Sequence, residues 1–318
     1  MTEQHDQSAG SPRIAVILPC YNEEAAIGQT VAGFRAALPG ARIYVYDNNS
    51  RDRTVDVARA AGAIVRTERV QGKGAVVRRM FADVDADIYV IADGDATYDA
   101  ASAPALVRRL IDEQLDMVVG SRVHEAAAAY RRGHQFGNKA LTGMLARLFG
   151  RSFTDILSGY RVFSRRFVKS FPALSAGFEI ETEISVHALE LKMPVAEITT
   201  PYFERPEGSA SKLSTYSDGW RIARTIATLY RIERPLLFFG AIGGMLALLA
   251  VILAIPLALT YLRTGLVPRF PTAILATGLM ILASQCLFAG LTLDTVVRGR
   301  REVRRLAYLA YPAPGDAG

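Results

Sequence analysis

Apolar and polar positions follow two different periods between residues 13 and 199. Short apolar runs such as Ile14–Leu18 and Ile88–Ala92 have the length and β-branched content of buried strands. Between such runs, apolar residues recur at helical spacing, for example at Ile27, Val31, Phe34 and Leu38. Strands that alternate with helices predict a doubly wound α/β domain with a mostly parallel sheet and helices on both faces.

Two long runs without any charged residue follow this domain, Leu236–Leu262 and Phe270–Leu293. Each is longer than the roughly 20 residues that a helix needs to cross a bilayer, so together they predict a transmembrane hairpin. Arginines cluster before the first run and after the second, while only Arg263 and Arg269 lie between the runs. By the positive-inside rule, both ends of the hairpin and the α/β domain are expected on the cytoplasmic side of the inner membrane.

The stretch Trp220–Arg234, just before the first apolar run, has two different faces when drawn as a helix. Apolar residues gather on one side and four arginines on the other, which is typical of a helix that lies among lipid headgroups. A solvated charged face is the alternative. The predicted organisation is a flexible tail (1–12), the α/β domain (13–213), an amphipathic interfacial helix (214–235), the transmembrane hairpin (236–297) and a basic cytoplasmic tail (298–318).

Composition narrows the class of protein. Half of the 318 residues are hydrophobic, which is high for a purely soluble protein, and the net charge is +6. The two cysteines, Cys20 and Cys286, are far apart in the sequence, so neither a disulfide framework nor a cysteine-based zinc site is supported. The polar start of the chain has no apolar core of the kind that signal peptides need, and we expect it to be flexible.

Acidic residues follow the strand Ile88–Ala92 directly, in the sequence Asp93-Gly94-Asp95. The carboxyl end of a parallel strand is where open α/β sheets bind ligands. Two carboxylates one residue apart can share a Mg²⁺ or Mn²⁺ ion, and such ions typically bridge carboxylates to substrate phosphates. The motif therefore predicts a phosphorylated substrate and a divalent metal.

Further motifs occur in a fixed order around this one. The segment Pro19 to Glu23 follows the first strand, and Asp47 to Thr54 follows the second. The remaining motifs are Gln71-Gly-Lys-Gly74, Gly120-Ser-Arg122, Asn138, Asp155-x-x-Ser-Gly-Tyr-Arg161, Glu179 to Glu183 and Arg205-x-x-Gly-x-x-Ser-Lys-Leu213. The series resembles the family 2 glycosyltransferases of the GT-A fold. Within them it resembles the polyprenyl-phosphate sugar synthases, such as dolichyl-phosphate mannose synthase and bacterial relatives with two C-terminal membrane helices.

The resemblance implies a nucleotide-sugar site formed by Pro19, Tyr21, Glu23, Asp47, Asn48, Lys73, Asp93 and Gly94. Tyr21 would lie against the nucleobase, or instead cap the core as a strand-end aromatic residue. Lys73 would approach the diphosphate, or instead belong to a surface turn. Asp93 would bind the ribose or the metal, and Asp95 would bind the metal beside the diphosphate. Three acidic residues would either face the donor sugar or be ordinary exposed carboxylates: Glu179, Glu181 and Glu183.

The acceptor that the resemblance implies is a polyprenyl phosphate, whose anionic head needs cations and whose tail needs the bilayer. The implied phosphate contacts are Arg122, Arg205, Ser211 and Lys212. Because a lipid phosphate is already deprotonated near pH 7, it can attack the anomeric carbon without a strong general base. Asp155 would then organise Arg161 or the acceptor site, or serve as a helix cap or turn residue. The implied catalytic residues are Asp95, Asp155 and Arg205.

These patterns and the resemblance predict a metal-dependent inverting glycosyltransferase of cell envelope glycan synthesis. It would move a sugar from a nucleotide-diphosphate sugar to a polyprenyl phosphate at the cytoplasmic face of the membrane. One alternative is a haloacid-dehalogenase-like phosphatase that uses Asp93 and Asp95, because the segment Asp93 to Thr97 also fits the D-x-D-x-T pattern of that class. The other is a non-catalytic membrane scaffold with a sugar-nucleotide-binding domain.

The expected partners are the donor, the lipid acceptor and membrane lipids, with no nucleic acid. The resemblance is compatible with a small homo-oligomer. The identity of the sugar, the nucleobase and the lipid length do not follow from the sequence.

Overall fold

The computed structural model describes residues 12–123, 153–175, 179–206 and 231–315, together with residues 143, 144, 146, 147, 150, 177 and 228. The chain divides into two compact units. The first comprises Met1–Gly219 and Arg304–Gly318, and the second comprises Trp220–Val303. The interfacial helix predicted at 214–235 falls almost entirely outside the described residues.

Seven strands form one sheet in the first unit: β1 (Ile14–Cys20), β2 (Arg42–Asp47), β3 (Ile64–Thr67), β4 (Ile88–Ile91), β5 (Met117–Val123), β6 (Arg161–Ser164) and β7 (Val195–Pro201). They lie in the order β3-β2-β1-β4-β6-β5-β7. Strand β6 runs antiparallel to both of its neighbours, and the other paired strands of this sheet are parallel. The predicted doubly wound, mostly parallel sheet is therefore confirmed.

In the described part of the first unit, six α-helices connect these strands: α1 (Ile27–Ala37), α2 (Thr54–Ala60), α3 (Lys73–Asp83), α4 (Ala103–Asp112), α5 (Arg165–Ser170) and α6 (Ile180–Glu190). In α1 the residues at helical spacing are buried in one core cluster with Val16 and Leu18 of β1. Burying a side chain such as Phe34 contributes roughly 1.5–3 kcal/mol to folding. Strands β1 and β4 are buried on both faces, as expected for a parallel sheet covered by helices on each side.

Strands β1, β2 and β4 end at the same edge of the sheet because they run parallel to one another. Cys20 at the end of β1 is in register with Asp47 at the end of β2. The backbone N–H of Asn48 then donates to the carbonyl oxygen of Cys20 at 2.9 Å. The motifs that follow the three strands are therefore gathered at one edge.

The last residues of the chain pack within the first unit. Arg304 Nη1 donates to Glu190 Oε2 at 2.5 Å, and both side chains are largely buried. The Tyr308 hydroxyl donates to Asp116 Oδ2 at 2.9 Å. Asp116 stands directly before β5, so this contact lies at the edge of the sheet opposite the ends of β1 and β4.

The second unit contains α7 (Pro235–Thr264) and most of α8 (Phe270–Leu309). Only 11% and 17% of their most apolar segments are buried, unlike the core helices of a soluble protein. A Cβ atom at Gly243 would lie 2.9 Å from the carbonyl oxygen of Ala283, and one at Gly290 would lie 3.2 Å from Leu236 Cα. Small residues therefore let the two helices pack closely as an antiparallel pair. Both are long and apolar enough to cross a membrane, which indicates a membrane-anchored protein.

Candidate active site

A cavity of about 360 Å³ opens at the carboxyl edge of the sheet. The turns after β1 and β4, the start of α3 and Arg205 form its walls. The residues predicted to bind the donor or the metal that line this cavity are Pro19, Tyr21, Glu23, Asn48, Lys73, Asp93, Gly94 and Asp95. Asp47 is not among the lining residues, and its buried carboxylate accepts hydrogen bonds from the backbone N–H of Ser50 at 3.2 and 3.3 Å. The volume is in the range of small-molecule sites.

The turn after β1 is held by hydrogen bonds to the segment after β2. Asn22 has a positive φ of 53°, and its side-chain oxygen accepts from the backbone N–H of Arg51 at 2.8 Å. The backbone N–H of Glu23 donates to Thr54 Oγ1 at 2.8 Å. These bonds fix the backbone from which Tyr21 and Glu23 reach the cavity wall.

Asn48 uses its side chain to hold the loop before α3. Its Nδ2 donates to the carbonyl oxygens of Glu68 and Val70 at 2.9 and 2.8 Å. Its Oδ1 accepts from the backbone N–H of Gly72 at 2.8 Å and from Gln71 Nε2 at 3.2 Å. A side-chain amide has two donor hydrogens and two acceptor sites, so these four bonds fill its capacity. Asn48 therefore shapes the cavity wall that carries Lys73.

Lys73 links two carboxylates from distant parts of the chain. Its Nζ donates to Asp93 Oδ1 at 2.5 Å and lies 2.6 Å from Glu181 Oε1, and only 12% of the lysine side chain is exposed. Burial alone would lower the pKa of Lys73, but the charges of Asp93 and Glu181 raise it well above its ordinary value. Lys73 therefore stays protonated and does not belong to a solvated surface turn.

Two glycines make room for this cluster. A Cβ atom at Gly159 would lie 2.9 Å from Asp93 Oδ2 and 3.2 Å from Lys73 Nζ. A Cβ atom at Gly94 would collide with Cys20 Sγ, whose thiol pKa is raised by burial. Any side chain at either position would displace Asp93 or the backbone on which it stands.

Asp95 is held from two sides. Its Oδ1 accepts from the backbone N–H of Thr97 at 3.2 Å and from Thr97 Oγ1 at 2.6 Å, around Ala96 at a positive φ of 57°. Its Oδ2 lies 2.7 Å from Arg205 Nη2. Thr97 thus orients the carboxylate. Arg205, which the resemblance places on the acceptor phosphate, lies next to the predicted metal ligand.

Arg122 and Asp155 form a bidentate ion pair. Arg122 Nε and Nη2 donate to the two carboxylate oxygens at 2.6 and 2.8 Å. Burial favours the neutral acid, but the Arg122 guanidinium holds the pKa of Asp155 below its usual range. The guanidinium also lies 5.5 Å from the ring centre of Tyr202. Asp155 therefore orients a cation that the resemblance assigns to the acceptor phosphate.

Arg161 has a different environment from Arg122. It is fully buried, and it donates to the carbonyl oxygens of Ser158 and Ile156 and to Ser185 Oγ. Burial lowers the pKa of Arg161 to about 10. Arg161 therefore braces the segment from Ile156 to Ser158, whereas Arg122 contacts Asp155 directly.

Ser211 and Lys212, predicted to contact the acceptor phosphate, lie outside the described residues. The pairing of Glu181 with Lys73 was not anticipated, because sequence shows an acid near a helix start but not its partner. The steric need for Gly159 was also missed. In the sequence, Gly159 was marked only by its position within the Asp155 to Arg161 motif.

The carboxylates of the cavity suit a hard divalent cation. Asp93 and Asp95 present carboxylate oxygens on either side of Gly94, and each already attracts a cationic side chain in this structure. Among the described residues, no group of three or more His, Cys, Asp or Glu side chains could hold a metal ion. A cation here would therefore need further oxygen ligands from a phosphorylated substrate or water.

Comparison with known proteins identifies the family. The glycosyl transferase family 2 profile matches residues 15–171. Glycosyltransferase AglJ of Haloferax volcanii is 33% identical over 232 residues, which cover 72% of this chain and 76% of that protein. The chain belongs to glycosyl transferase family 2. The glycosyltransferase prediction is confirmed at this level, and the phosphatase and scaffold alternatives have no support from these relatives.

Two further relatives of this family 2 glycosyltransferase bear on its chemistry. The dolichyl-phosphate hexose transferase of Haloferax volcanii is 28% identical over 221 residues, covering 70% of this chain and 95% of that protein. Among solved structures, glucosyl-3-phosphoglycerate synthase from Mycobacterium tuberculosis in complex with Mn²⁺, UDP-glucose and glycerol 3-phosphate is similar, with a TM-score of 0.56 at 25% identity. That similarity covers 69% of this chain and 79% of the other.

Proposed function

We propose that this family 2 glycosyltransferase moves a sugar from a nucleotide-diphosphate sugar to a polyprenyl phosphate, with inversion, at the cytoplasmic face of the inner membrane. The observation that carries the proposal is one cavity in which Lys73, Asp93 and Asp95 stand together, in a chain that also has two exposed apolar helices. The relative named a dolichyl-phosphate hexose transferase supports the same acceptor class.

The donor would occupy the cavity at the ends of β1 and β4. Its diphosphate would lie near the first turn of α3, where Lys73 and the positive end of the helix dipole attract negative charge. The nucleoside would lie toward Tyr21 and Glu23, on the other lining segment. This placement puts the scissile bond beside Asp95.

Asp93 and Asp95 would hold a divalent cation, either Mg²⁺ or Mn²⁺, together with the diphosphate. Such a cation supplies neutralisation of the charge that develops on the departing nucleoside diphosphate. Thr97 keeps Asp95 Oδ1 oriented for this task. The Mn²⁺ in the solved structure of glucosyl-3-phosphoglycerate synthase supports a metal-dependent donor site.

The acceptor phosphate would enter beside Arg122 and Arg205, with Ser211 and Lys212 as further predicted contacts. A phosphate monoester has a second pKa of about 6, so one of its oxygens is already a nucleophile near pH 7. That oxygen forms a bond to the anomeric carbon, and the bond to the nucleoside diphosphate breaks with its electron pair. No side chain has to take a proton, which fits an Asp155 that is engaged with Arg122.

The membrane helices would keep the active site close to its lipid substrate. Arginines before α7 and near the end of α8 favour a cytoplasmic position for both ends of the pair. The acceptor tail would then stay in the bilayer while its phosphate reaches the cavity.

The test is a donor screen with the purified full-length protein in lipid nanodiscs. We expect one nucleotide sugar to release its nucleoside diphosphate only when polyprenyl phosphate and a divalent cation are both present. Asp95→Asn provides the matched inactive control. Release of inorganic phosphate, or equal turnover with a soluble acceptor such as 3-phosphoglycerate, would contradict the proposed acceptor.

A further inference from the structure

Glu181 differs from the other acids around the cavity because it is not part of the cavity wall. It belongs to the first turn of α6, and its side chain is 9% exposed. Within the described residues, its side chain makes one ion pair, between Oε1 and Lys73 Nζ at 2.6 Å. Glu181 therefore reaches the site through Lys73.

The second oxygen of Glu181 is unusual for a buried carboxylate. Within the described part of the chain, Glu181 Oε2 has no hydrogen-bond partner. A buried polar atom without a partner costs stability, so an acid kept only for folding would be better satisfied than this one. The neighbouring acid Glu183 shows the contrast, because it accepts hydrogen bonds from the backbone N–H groups of Leu174 and Ser175 at 2.9 and 2.7 Å.

The charges in this cluster do not cancel. Lys73 carries one positive charge, and Asp93 and Glu181 each carry one negative charge within 2.6 Å of it. If Lys73 had only Asp93 as a partner, the pair would be neutral and Asp93 would attract a second cation weakly. Because Lys73 is shared with Glu181, these three side chains together carry one net negative charge beside the cavity. Arg161, a buried cation that interacts electrostatically with Glu181, is a further positive group nearby, and it is unchanged when Glu181 is substituted.

We infer that Glu181 is a positioning residue that acts through Lys73 to preserve the cation affinity of Asp93. It holds the ammonium group between two acids, so Lys73 anchors Asp93 without neutralising it. The inference rests on the proposed function, since it concerns the divalent cation and the nucleotide of that same site. Gly159 contributes to this arrangement of charges, because its missing side chain leaves the space in which the Asp93 carboxylate and Lys73 meet.

The inference predicts opposite effects on the two ligands of the site. In Glu181→Gln, the loss of one negative charge should weaken Mn²⁺ binding by about three- to tenfold, the size of one unit charge acting at several ångströms in a partly screened site. The same change should strengthen the binding of UDP or GDP in the absence of metal, because the nucleotide is an anion. A merely structural role for Glu181 would weaken both.

The experiment measures Mn²⁺ binding by electron paramagnetic resonance and nucleotide binding by calorimetry, with the full-length protein in nanodiscs and without any lipid acceptor. Glu183→Gln is the matched control, since it removes an equal charge from the same helix, at a carboxylate that is bonded to the backbone of Leu174 and Ser175 and not to Lys73. We expect its Mn²⁺ affinity to stay within about twofold of the wild type. Failure of the polyprenyl-phosphate proposal would leave all of these binding results unchanged.

A second variant keeps the test decisive if Glu181→Gln folds poorly. Glu181→Asp retains the charge and shortens the side chain by one methylene, so Mn²⁺ affinity should stay within about twofold of the wild type. If Glu181→Asp loses Mn²⁺ affinity as strongly as Glu181→Gln, or if the Gln variant loses affinity for metal and nucleotide together, the inference is overturned.

Discussion

Two clusters of polar side chains, one around Asp116 and one around Asp93 and Asp95, lie at opposite edges of the same sheet, and they differ in what surrounds the carboxylates. Asp116, before β5, is completely buried and is in contact with three protein groups, the Ser164 hydroxyl, the Arg166 guanidinium and the Tyr308 hydroxyl. Asp93 and Asp95, after β4, line a cavity of about 360 Å³. Each of them meets a cationic side chain there, but space for a ligand remains beside both.

The comparison separates an acid that completes the fold from acids that are placed for a ligand. The protein itself fills the hydrogen-bonding capacity of Asp116, so that acid contributes to stability when its partners are present. At the other edge, the cations on Asp93 and Asp95 come from residues of the cavity wall. An anionic donor would compete with the carboxylates for these cations, and a divalent metal would compete with the cations for the carboxylates. Charge alone does not distinguish the two clusters.

The largest expected effects come from neutralising one acid in each cluster, Asp95 in one variant and Asp116 in another. Asp95→Asn should reduce sugar transfer by at least about 100-fold, because it removes a carboxylate that would hold the cation needed by the leaving group, and it should leave stability nearly unchanged. Asp116→Asn should lower the free energy of unfolding by roughly 3–5 kcal/mol, because Arg166 loses its buried partner. Product formation per folded molecule and urea midpoints in detergent measure the two effects.

These two variants would break the comparison if their effects were reversed. A stable, fully active Asp95→Asn protein would refute the metal assignment, and an Asp116→Asn protein with normal stability but no activity would place Asp116 in the chemistry.

A smaller effect is expected at the Arg122–Asp155 pair. Arg122→Gln should raise the KM for polyprenyl phosphate by about tenfold or more, because the bidentate cation near the acceptor is lost. Arg122→Lys should restore only part of the lost affinity for polyprenyl phosphate, since an ammonium group cannot bind both oxygens of Asp155 in the same geometry. Steady-state kinetics with lipid and donor varied separately provide the measurement.

The control for this prediction is Arg79→Gln, which removes an exposed pair with Asp83 on α3 and should change neither KM. If Arg122→Gln reduced donor affinity and left the lipid KM unaltered, the acceptor-side placement would be wrong.

Substitution of Arg205 gives a more sensitive test of the cluster around Asp93 and Asp95. Its guanidinium lies 2.7 Å from Asp95 Oδ2, an oxygen for which a bound cation would have to compete with it. Arg205→Gln should therefore tighten Mn²⁺ binding by roughly threefold in the absence of donor. Electron paramagnetic resonance with Arg79→Gln as the matched loss of charge gives the answer, and weaker Mn²⁺ binding in Arg205→Gln would show that the two do not compete.

The last prediction concerns pH and belongs to the packed side of the molecule. Burial, with a smaller contribution from the charge of Arg304, lowers the pKa of His187 to about 3. The unfolded chain takes up a proton near pH 6.5, whereas the folded protein does so only near 3. His187 therefore costs stability progressively as the pH falls between these values. His187→Gln should show a flatter decline of the urea midpoint from pH 7 to 4, and an identical decline in both proteins would remove His187 as its cause.

Much of the candidate site could be predicted because acids that follow parallel strands must meet at one edge. The positions of Asp93, Asp95 and Lys73 on the cavity wall follow from strand order and loop motifs alone. The two apolar helices could also be predicted from the sequence, because a helix that crosses a bilayer needs a long run of uncharged residues.

The pairings could not be predicted in the same way. Glu181 contacts Lys73, and Tyr308 contacts Asp116, although the partners are far apart in the sequence. Only tertiary packing brings them together. Asn48 looks like a base-binding residue in the sequence, but its four hydrogen bonds all go to the loop before α3. Periodicity reports which face is buried, and it carries no information about which polar groups satisfy one another.

The most direct test of the account follows the sugar itself. The full-length protein in nanodiscs would be incubated with a labelled nucleotide sugar, polyprenyl phosphate and Mn²⁺, and the label would be counted after extraction into organic solvent. We predict that the label moves to the lipid phase and that both chelation of the metal and Asp95→Asn prevent the transfer. Label that stays in the aqueous phase with every donor, or that reaches the lipid equally well without a divalent cation, would contradict the central claim.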